Sequence, residues 1–349
     1  MSQTDKPLPQ NIGGARRVAV KCWREICRPV VKLARTFSRS DCDNLDFASE
    51  TQYLKHQFIG LGEDEFRTLL LGGEFFQRAN VGLQAYLTAN VPRLYRIVHS
   101  LVSCQEMLAG PTLDVASGNG ILYPLLKRLL PSMFPYSIAE LNARHVEIEG
   151  QTIPCHPFEC EKGRLPLPDA SQGCVLYCDT IEHLIVDPVW PILEFNRVLR
   201  PGGKLVITTP NAAGVSRAAG IFFGLSGATE NAIKPSAIYQ RHNREWTVDD
   251  LLRLAECCGF GKCVVTTHSH LITPREDELL QTAHRVKLLA KPRSYYGPEI
   301  FFIAEKTAER NLDMELSQDQ RWPTFLYSHY DVYRRRPQIF PIQVGPDYS

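Results

Sequence analysis

The sequence lacks several features that would place it outside the ordinary globular class. Its 349 residues contain no run near the ~18 consecutive apolar residues of a membrane span. The net charge is only +1, from 39 basic and 38 acidic residues, so the charge of the whole chain argues neither for nor against a nucleic-acid partner. The first residues, MSQTDKPLPQ, lack the pattern of a signal peptide. We therefore expect a cytoplasmic protein.

Cysteine is present, but its arrangement argues against a disulfide framework. The 11 cysteines are odd in number and contain no C-x-x-C pair, and Cys257 and Cys258 are adjacent, too close for ordinary disulfide geometry. This pattern indicates reduced thiols, as in a cytoplasm. The close histidine pair His268 and His270 would share one face of a strand, but no third ligand accompanies it. The sequence therefore predicts no metal site.

The two ends of the chain differ in composition from its middle. Residues 1–40 are predicted to be a basic, partly disordered segment, because residues 16–39 carry six Arg and two Lys against one Glu. Two interpretations of that run stay open: peripheral contact of residues 15–40 with an anionic membrane surface, or a basic helix packed on the body of the protein. Residues 41–110 are predicted to form a helical extension or lid, and residues 307–349 an aromatic and proline-rich tail.

Between residues 111 and 306, strand-like and helix-like segments alternate. Strands are predicted at 112–116, 136–140, 152–158, 173–178, 203–209, 262–267 and 299–305. The clearest predicted helices are 119–130, 187–199 and 247–258. This alternation predicts an α/β fold with a doubly wound sheet. The segment 210–246 is too long for a simple connection and is typical of a lid or binding loop.

The stretch LDVASGNG ends the first of these strands in a loop of small residues. A dinucleotide fingerprint needs G-x-G-x-x-G, but after Gly118 and Gly120 the third position is Tyr123. The acid Asp114 is a poor neighbour for a pyrophosphate, because like charges repel, and it suits a ligand with a cationic amino-acid portion. Glu140 ends the next strand, 20 residues after Gly120, and can accept hydrogen bonds from a ribose diol.

Five stretches follow one another in an order that resembles the class I S-adenosylmethionine-dependent methyltransferases, in particular the branch with the ubiquinone-biosynthesis type. They are LDVASGNG, AEL, EKGRLPLPDASQGCVLYCDTIEHL, EFNRVLRPGGKLVITTPN and HNREWTVDDLLRLAECCGF. The resemblance covers roughly residues 111–305. It implies a Rossmann-like, mostly parallel seven-stranded sheet with an antiparallel last strand, and S-adenosyl-L-methionine as the cofactor.

The resemblance also assigns cofactor-binding residues. They are Asp114, Ala116, Ser117, Gly118, Gly120, Glu140, Leu141, Glu159, Cys160, Cys178 and Asp179. In this assignment the first strand and its loop line the methionine and ribose side. The Glu-Leu pair holds the ribose and flanks the adenine, the Glu-Cys pair contacts the adenine, and the Cys-Asp pair covers the methionine portion. Plain core packing stays an alternative for Leu141 and Cys160.

The sequence departs from the family pattern in two places. Ala116 replaces the first glycine of the loop motif, and alanine fits there without strain only if the position needs no positive φ. Gln172 and Gly173 stand where the family has Phe-Asp, which concerns only the packing of the fourth strand.

Methyl transfer from a sulfonium is an in-line displacement, so the enzyme mainly positions the nucleophile and excludes water. A hydroxyl nucleophile benefits from a general base, and the candidates are His183 and His242. A structural or cofactor-contacting role for His183 and a loop-anchoring role for His242 stay open. Tyr239, Arg241 and Arg244 are candidate contacts of a polar or anionic acceptor, with surface ion pairs as the alternative.

These features predict a methyltransferase that O-methylates a polar acceptor, such as a sugar of a surface glycan or a lipid-linked oligosaccharide. A quinone or natural-product acceptor is the second enzymatic hypothesis, because the apolar stretch AAGIFFGLSGA could form its lid. A methyltransferase-like binding subunit without catalysis is the third. A nucleic-acid acceptor is disfavoured, since CDTIEHL replaces the Asn/Asp-Pro-Pro-Tyr signature and the basic charge lies in one short segment.

Overall fold

The computed structural model describes residues 52–53, 62–142, 146–185, 187–222, 242–268, 272–285, 289 and 291–310. The predicted segment 1–40, part of the insertion at 223–241 and the tail from 311 onward lie outside these residues. The strands are β1 Gln52–Tyr53, β2 Thr112–Val115, β3 Tyr136–Glu140, β4 Val146–Ile148, β5 Gln151–Ile153, β6 Cys155–Pro157, β7 Gln172–Cys178, β8 Leu199–Pro210, β9 Phe260–Thr266 and β10 Glu299–Lys306.

The helices lie mainly between these strands. They are α1 Glu63–Gly72, α2 Glu74–Arg78, α3 Val81–Ala89, α4 Val91–Ser103, α5 Tyr123–Leu129, α6 Val189–Val198, α7 Val215–Phe222, α8 Val248–Cys257 and α9 Pro274–Arg285. Short 3₁₀ turns occupy Gln105–Met107, Pro131–Met133, Ile181–His183 and Arg293–Tyr295. None of the described helices is long and apolar enough to cross a membrane.

One mixed sheet organises the described chain, in the order β1-β9-β10-β8-β7-β2-β3-β6. The five strands from β8 to β6 run parallel to one another, and β10 is antiparallel to both β8 and β9. The predicted doubly wound, mostly parallel sheet with an antiparallel last strand is therefore confirmed. A two-residue strand, β1, extends it at one edge beside β9.

The predicted strand 152–158 is wrong in detail. The structure divides it into β5, which pairs with β4 in a separate two-stranded hairpin, and β6, which joins the main sheet beside β3. The division falls at Pro154, which lies between the two strands and has no backbone N–H for a ladder hydrogen bond.

The sheet buries both of its faces, as alternate residues of β7 show. Val175 and Tyr177 pack on the side of α6 and α8, whereas Cys174 and Leu176 pack on the side of α1, α4 and α5. Alternation along a strand sends successive side chains to opposite faces, so a strand buried on both faces is apolar throughout. The N-terminal helix α4 thus covers the same face as α5, and its hydrophobic residues join that core.

Gly173 explains one departure from the family pattern. A Cβ atom at this position would lie 2.2 Å from the carbonyl oxygen of Ala109, which is fixed backbone. The Gly173 amide also donates a hydrogen bond to the carbonyl of Pro111, at 2.8 Å. The strand edge here approaches the preceding loop too closely for any side chain.

Candidate functional site

The predicted cofactor-binding residues lie along the edge where the parallel strands end. β2, β3, β6 and β7 run parallel, so their carboxyl ends share one edge of the sheet. The loop after β2, the end of β3, the residues after β6 and the residues after β7 supply the groups that the sequence singled out. In open α/β sheets this edge is where ligands bind.

The loop after β2 holds four residues in left-handed conformations. Ala116 has φ 54°, Gly118 62°, Asn119 65° and Gly120 78°. Such values bring successive backbone N–H groups to one side of a turn, which forms an anion-accepting concavity. Alanine would be unstrained at position 116 only if the position needed no positive φ, and the φ of Ala116 is positive. Its Cβ costs about 1 kcal/mol here relative to glycine.

Glu140 closes over this loop from the end of β3. Its Oε1 accepts a hydrogen bond from Ser117 Oγ at 2.7 Å and another from the Asn119 amide at 3.2 Å. Ser117 Oγ in turn accepts from the Gly120 amide at 2.8 Å. The acid and the glycine loop, 20 residues apart in the sequence, thus form one hydrogen-bonded unit. Oε2 of Glu140 takes part in neither loop hydrogen bond.

Asp114 lies inside the sheet beneath the loop, not on its surface. Its side chain is buried, and Tyr136 Oη donates a short hydrogen bond to Oδ2. Burial raises the pKa of the Asp114 carboxyl to about 7, the hydrogen bond from Tyr136 opposes this rise, and the charge of Glu140 adds to it. The carboxyl of Asp114 is therefore held within the sheet by Tyr136, a partner that the sequence did not single out.

The residues assigned to the adenine side differ in exposure. Leu141 is 38% exposed, so it does not belong to the core. Glu159 is partly buried and forms an ion pair with Lys162 at 2.9 Å. Cys160 packs against the core, and burial raises the pKa of its thiol to about 12. Leu141 and Glu159 thus offer side-chain surface at this edge, whereas Cys160 offers a neutral thiol.

The residues at the end of β7 are joined to the N-terminal helices. Asp179 forms an ion pair through Oδ2 with Arg93 Nε of α4 at 2.8 Å, and its Oδ1 accepts from Thr208 Oγ1 at 2.8 Å. Arg93 Nη2 also donates to Tyr86 Oη at 2.8 Å. Burial raises the pKa of the neighbouring Cys178 thiol well above its usual value. Sequence reasoning missed Arg93, because its partner lies 86 residues further along the chain.

Both candidate bases lie together beyond Asp179. His183 belongs to the 3₁₀ turn after β7 and His242 to the segment before α8, yet their ring centroids are 5.0 Å apart with the rings nearly perpendicular. Glu182 Oε1 lies 4.0 Å from His183 Nε2. Glu182 is buried, and burial, with the nearby charge of Asp179, raises the pKa of its carboxyl well above the usual value.

The three candidate acceptor contacts have different outcomes. Tyr239 and Arg241 lie outside the described residues. Arg244 stacks over the ring of buried Trp246, with its guanidinium carbon 4.2 Å from the ring centroid, and its Nη2 lies 3.9 Å from Asp250 Oδ1. The Arg244 side chain thus stabilises the entry to α8, where Asp250 and Thr247 form a reciprocal cap.

Comparison with known proteins places part of the chain. A family model described as a methyltransferase domain matches residues 113–207. A probable S-adenosylmethionine-dependent methyltransferase from Mycolicibacterium smegmatis is 35% identical over 96 residues, which cover 28% of this chain and 31% of that protein. A ubiquinone/menaquinone biosynthesis C-methyltransferase from Hahella chejuensis is 28% identical over 102 residues, which cover 27% and 41%. The matched part thus spans about a third to two fifths of these relatives.

A solved structure of an S-adenosylmethionine-dependent methyltransferase from Thermotoga maritima is similar to 67% of this chain and 98% of that one, at 18% identity and a TM-score of 0.42. Likeness at this level says nothing about activity. The matched residues 113–207 carry the glycine loop, Glu140, Asp179 and the His183 turn. This part of the chain is a methyltransferase domain of the class I S-adenosylmethionine-dependent family.

Proposed function

We propose that the protein transfers the methyl group of S-adenosylmethionine to a hydroxyl group of a polar acceptor. The observation that carries the proposal is the unit formed by the loop after β2 and Glu140. Four left-handed residues turn the chain at the strand end, and an acid from the next strand is hydrogen-bonded to that turn. This unit can hold a ribose through its diol while the loop backbone approaches the rest of the cofactor.

The cofactor would lie across the strand ends, with its adenine beyond β3 and its methionine portion toward β7. Glu140 Oε2 would accept from the ribose hydroxyls, and the exposed Leu141 would lie against the adenine, with Glu159 accepting from its amino group. The methionine portion would lie toward Asp179, because the strand order puts β7 on the opposite side of β2 from β3. The carboxylate of Asp179 suits the ammonium group of that portion.

The reaction needs few groups from the protein. The acceptor oxygen forms a bond to the methyl carbon while the sulfur–carbon bond breaks and its electron pair stays on sulfur, which gives a neutral thioether. The hydroxyl proton must leave the oxygen. His183 and His242 lie beyond Asp179 on the methionine side. We propose that one of these two imidazoles accepts the proton of the acceptor hydroxyl.

The polar character of this end of the site favours a polar acceptor. Two histidines, Glu182 and the ion pair of Arg217 with Glu245 at 3.2 Å lie together there. We propose a sugar hydroxyl of a glycan or lipid-linked oligosaccharide as the first acceptor to test. A hydroxylated quinone is the second. The relative from Hahella chejuensis is named a C-methyltransferase of quinone biosynthesis, so it favours this class of acceptor but not an oxygen as the methylated atom. Ile221, 61% exposed on the apolar helix α7, offers apolar surface for such an acceptor.

Calorimetry with S-adenosylhomocysteine tests the cofactor part. The wild-type chain should bind it, and Glu140→Gln should weaken binding roughly 10- to 100-fold, because it removes charge-assisted hydrogen bonds to the ribose. Glu147→Gln, at an exposed carboxylate of β4, is the matched control and should leave binding unchanged. Absence of binding by the wild-type chain would refute the proposed function.

The acceptor is tested by release of S-adenosylhomocysteine with panels of sugars and of hydroxylated quinones. Turnover with the sugars alone supports the first acceptor, and turnover with the quinones alone replaces it by the second. Cofactor binding without turnover on either panel would favour a binding subunit.

A further inference from the structure

A cluster of three metal-ligating side chains lies beside the proposed acceptor position. Glu182, His183 and His242 each offer one ligand atom, and these atoms all lie within 4.8 Å of one another. We infer that the three residues hold a divalent transition-metal ion, of which Zn²⁺ is the best match, with an open coordination position for the acceptor oxygen. The role toward the acceptor rests on the proposed function; ion binding does not.

Backbone hydrogen bonds fix the two segments of the cluster to each other. The amides of Asn243 and Arg244 both donate to the carbonyl of Glu182, at 2.8 and 3.2 Å. Asn243 Nδ2 donates to the carbonyl of His183 at 2.8 Å. Because these contacts join residues about 60 positions apart, the fold itself, and not chance side-chain placement, brings the ligand atoms together.

Outer groups orient two of the three ligands. Thr209 Oγ1 donates to Glu182 Oε2 at 3.0 Å, so Oε1 is the oxygen that lies toward His183. His242 Nδ1 lies 3.4 Å from Glu245 Oε1, and Arg217 holds the other oxygen of Glu245. A proton held on Nδ1 leaves the lone pair on Nε2. The second ring nitrogen of a metal-binding histidine generally donates to a carboxylate, a backbone carbonyl or a water, and this partner sets the tautomer and the ring orientation.

Charge also favours a cation here. Glu182 is 1% exposed, and the carboxyl group of Asp179 lies nearby. A buried carboxylate is costly unless a positive charge compensates it, and Arg93 is already in an ion pair with Asp179. A divalent ion would supply the compensating charge.

The donor set selects the kind of ion. Two imidazoles and one carboxylate form a recurrent catalytic zinc set with one open position, whereas Mg²⁺ prefers oxygen ligands. Tetrahedral ligand atoms about 2.1 Å from zinc lie about 3.4 Å apart. Ligand atoms that lie up to 4.8 Å apart must therefore approach one another by up to about 1.4 Å, within the reach of rotation about χ angles. An ion there would lower the pKa of a coordinated hydroxyl, which releases its proton to solvent before the oxygen attacks the methyl group.

Metal titration of the full chain tests the inference. After chelator treatment, calorimetry should show one Zn²⁺ bound, and Co²⁺ should give the visible absorption of a tetrahedral site. His183→Ala and His242→Ala should each weaken Zn²⁺ binding at least roughly 100-fold, and Glu245→Gln roughly 10- to 100-fold without loss of a ligand. His284→Ala, at an exposed histidine of α9, is the matched control and should leave binding unchanged.

Binding of S-adenosylhomocysteine by the same variants separates the two proposals. Retained nucleoside binding with lost Zn²⁺ binding supports the metal site and shows that the variants are folded. Zn²⁺ binding equal in all variants overturns the metal site. The metal site is also overturned if the wild-type chain binds S-adenosylhomocysteine but no Zn²⁺ and its turnover is unaffected by chelator. In that case the proposed function stands, with a histidine as the general base. Zn²⁺ binding without nucleoside binding overturns the proposed function alone.

Discussion

Replacement of Asp114 by asparagine should change how the stability of the protein depends on pH. Burial raises the pKa of the Asp114 carboxyl from 3.8 to about 7, so the folded state binds a proton that the unfolded state has released across this interval. The contribution of Asp114 to stability is fully present below pH ~4 and is lost as the pH rises to ~7. The complete loss is about 4 kcal/mol. Asparagine has nearly the same shape and does not titrate.

Urea denaturation at several pH values measures the effect. Between about pH 5 and about pH 8, the free energy of unfolding of Asp114→Asn should rise relative to wild type by about 3 kcal/mol. The comparison isolates this carboxyl, because the other titrating groups, Glu182 among them, are common to both proteins. Tyr136→Phe should act in the opposite direction, since it removes the hydrogen bond that favours the charged carboxylate. A stability difference between Asp114→Asn and wild type that stays constant over this range would refute the reasoning.

Three further predictions concern the loop and its surroundings. Ala116→Gly should raise the free energy of unfolding by up to about 1 kcal/mol, and Asn119→Gly should raise it by less, because asparagine tolerates positive φ better than alanine. Thermal denaturation measures both variants, and equal increases in their stability would contradict this reasoning. Gly120→Ala should lower the free energy of unfolding by roughly 1 to 3 kcal/mol, since the new Cβ would lie 2.8 Å from an isoleucine side chain. Gly202 has a similar φ but open space around it, so Gly202→Ala should lower the free energy of unfolding by only about 1 kcal/mol. Arg93→Gln should lower stability by roughly 1 to 3 kcal/mol in urea, because it leaves a partly buried carboxylate without its charged partner; an unchanged free energy of unfolding would show that the pair is solvated.

The sequence alone determined the architecture of the central region and the identity of its loop. Alternating apolar patterns predicted the parallel strands, since period-2 and helical patterns are local consequences of which faces are buried. Tyr123 in place of a third glycine, together with Asp114, predicted that the loop is not a dinucleotide site, and Glu140 supplied an acceptor for a ribose. These features can be recognised in the sequence because they lie within one continuous stretch, from β2 through its loop and α5 to the end of β3.

Only the tertiary structure decided how the site is completed. It joined Arg93 to Asp179 and brought His242 to Glu182 and His183, across separations of 86 and about 60 positions that no local pattern records. It showed that Ala116 adopts a positive φ, because the strand must turn at once into the loop. It also showed that Asp114 lies buried beneath the loop. Partners brought together by the return of the chain over a folded sheet depend on the whole topology, and residue type and spacing do not specify them.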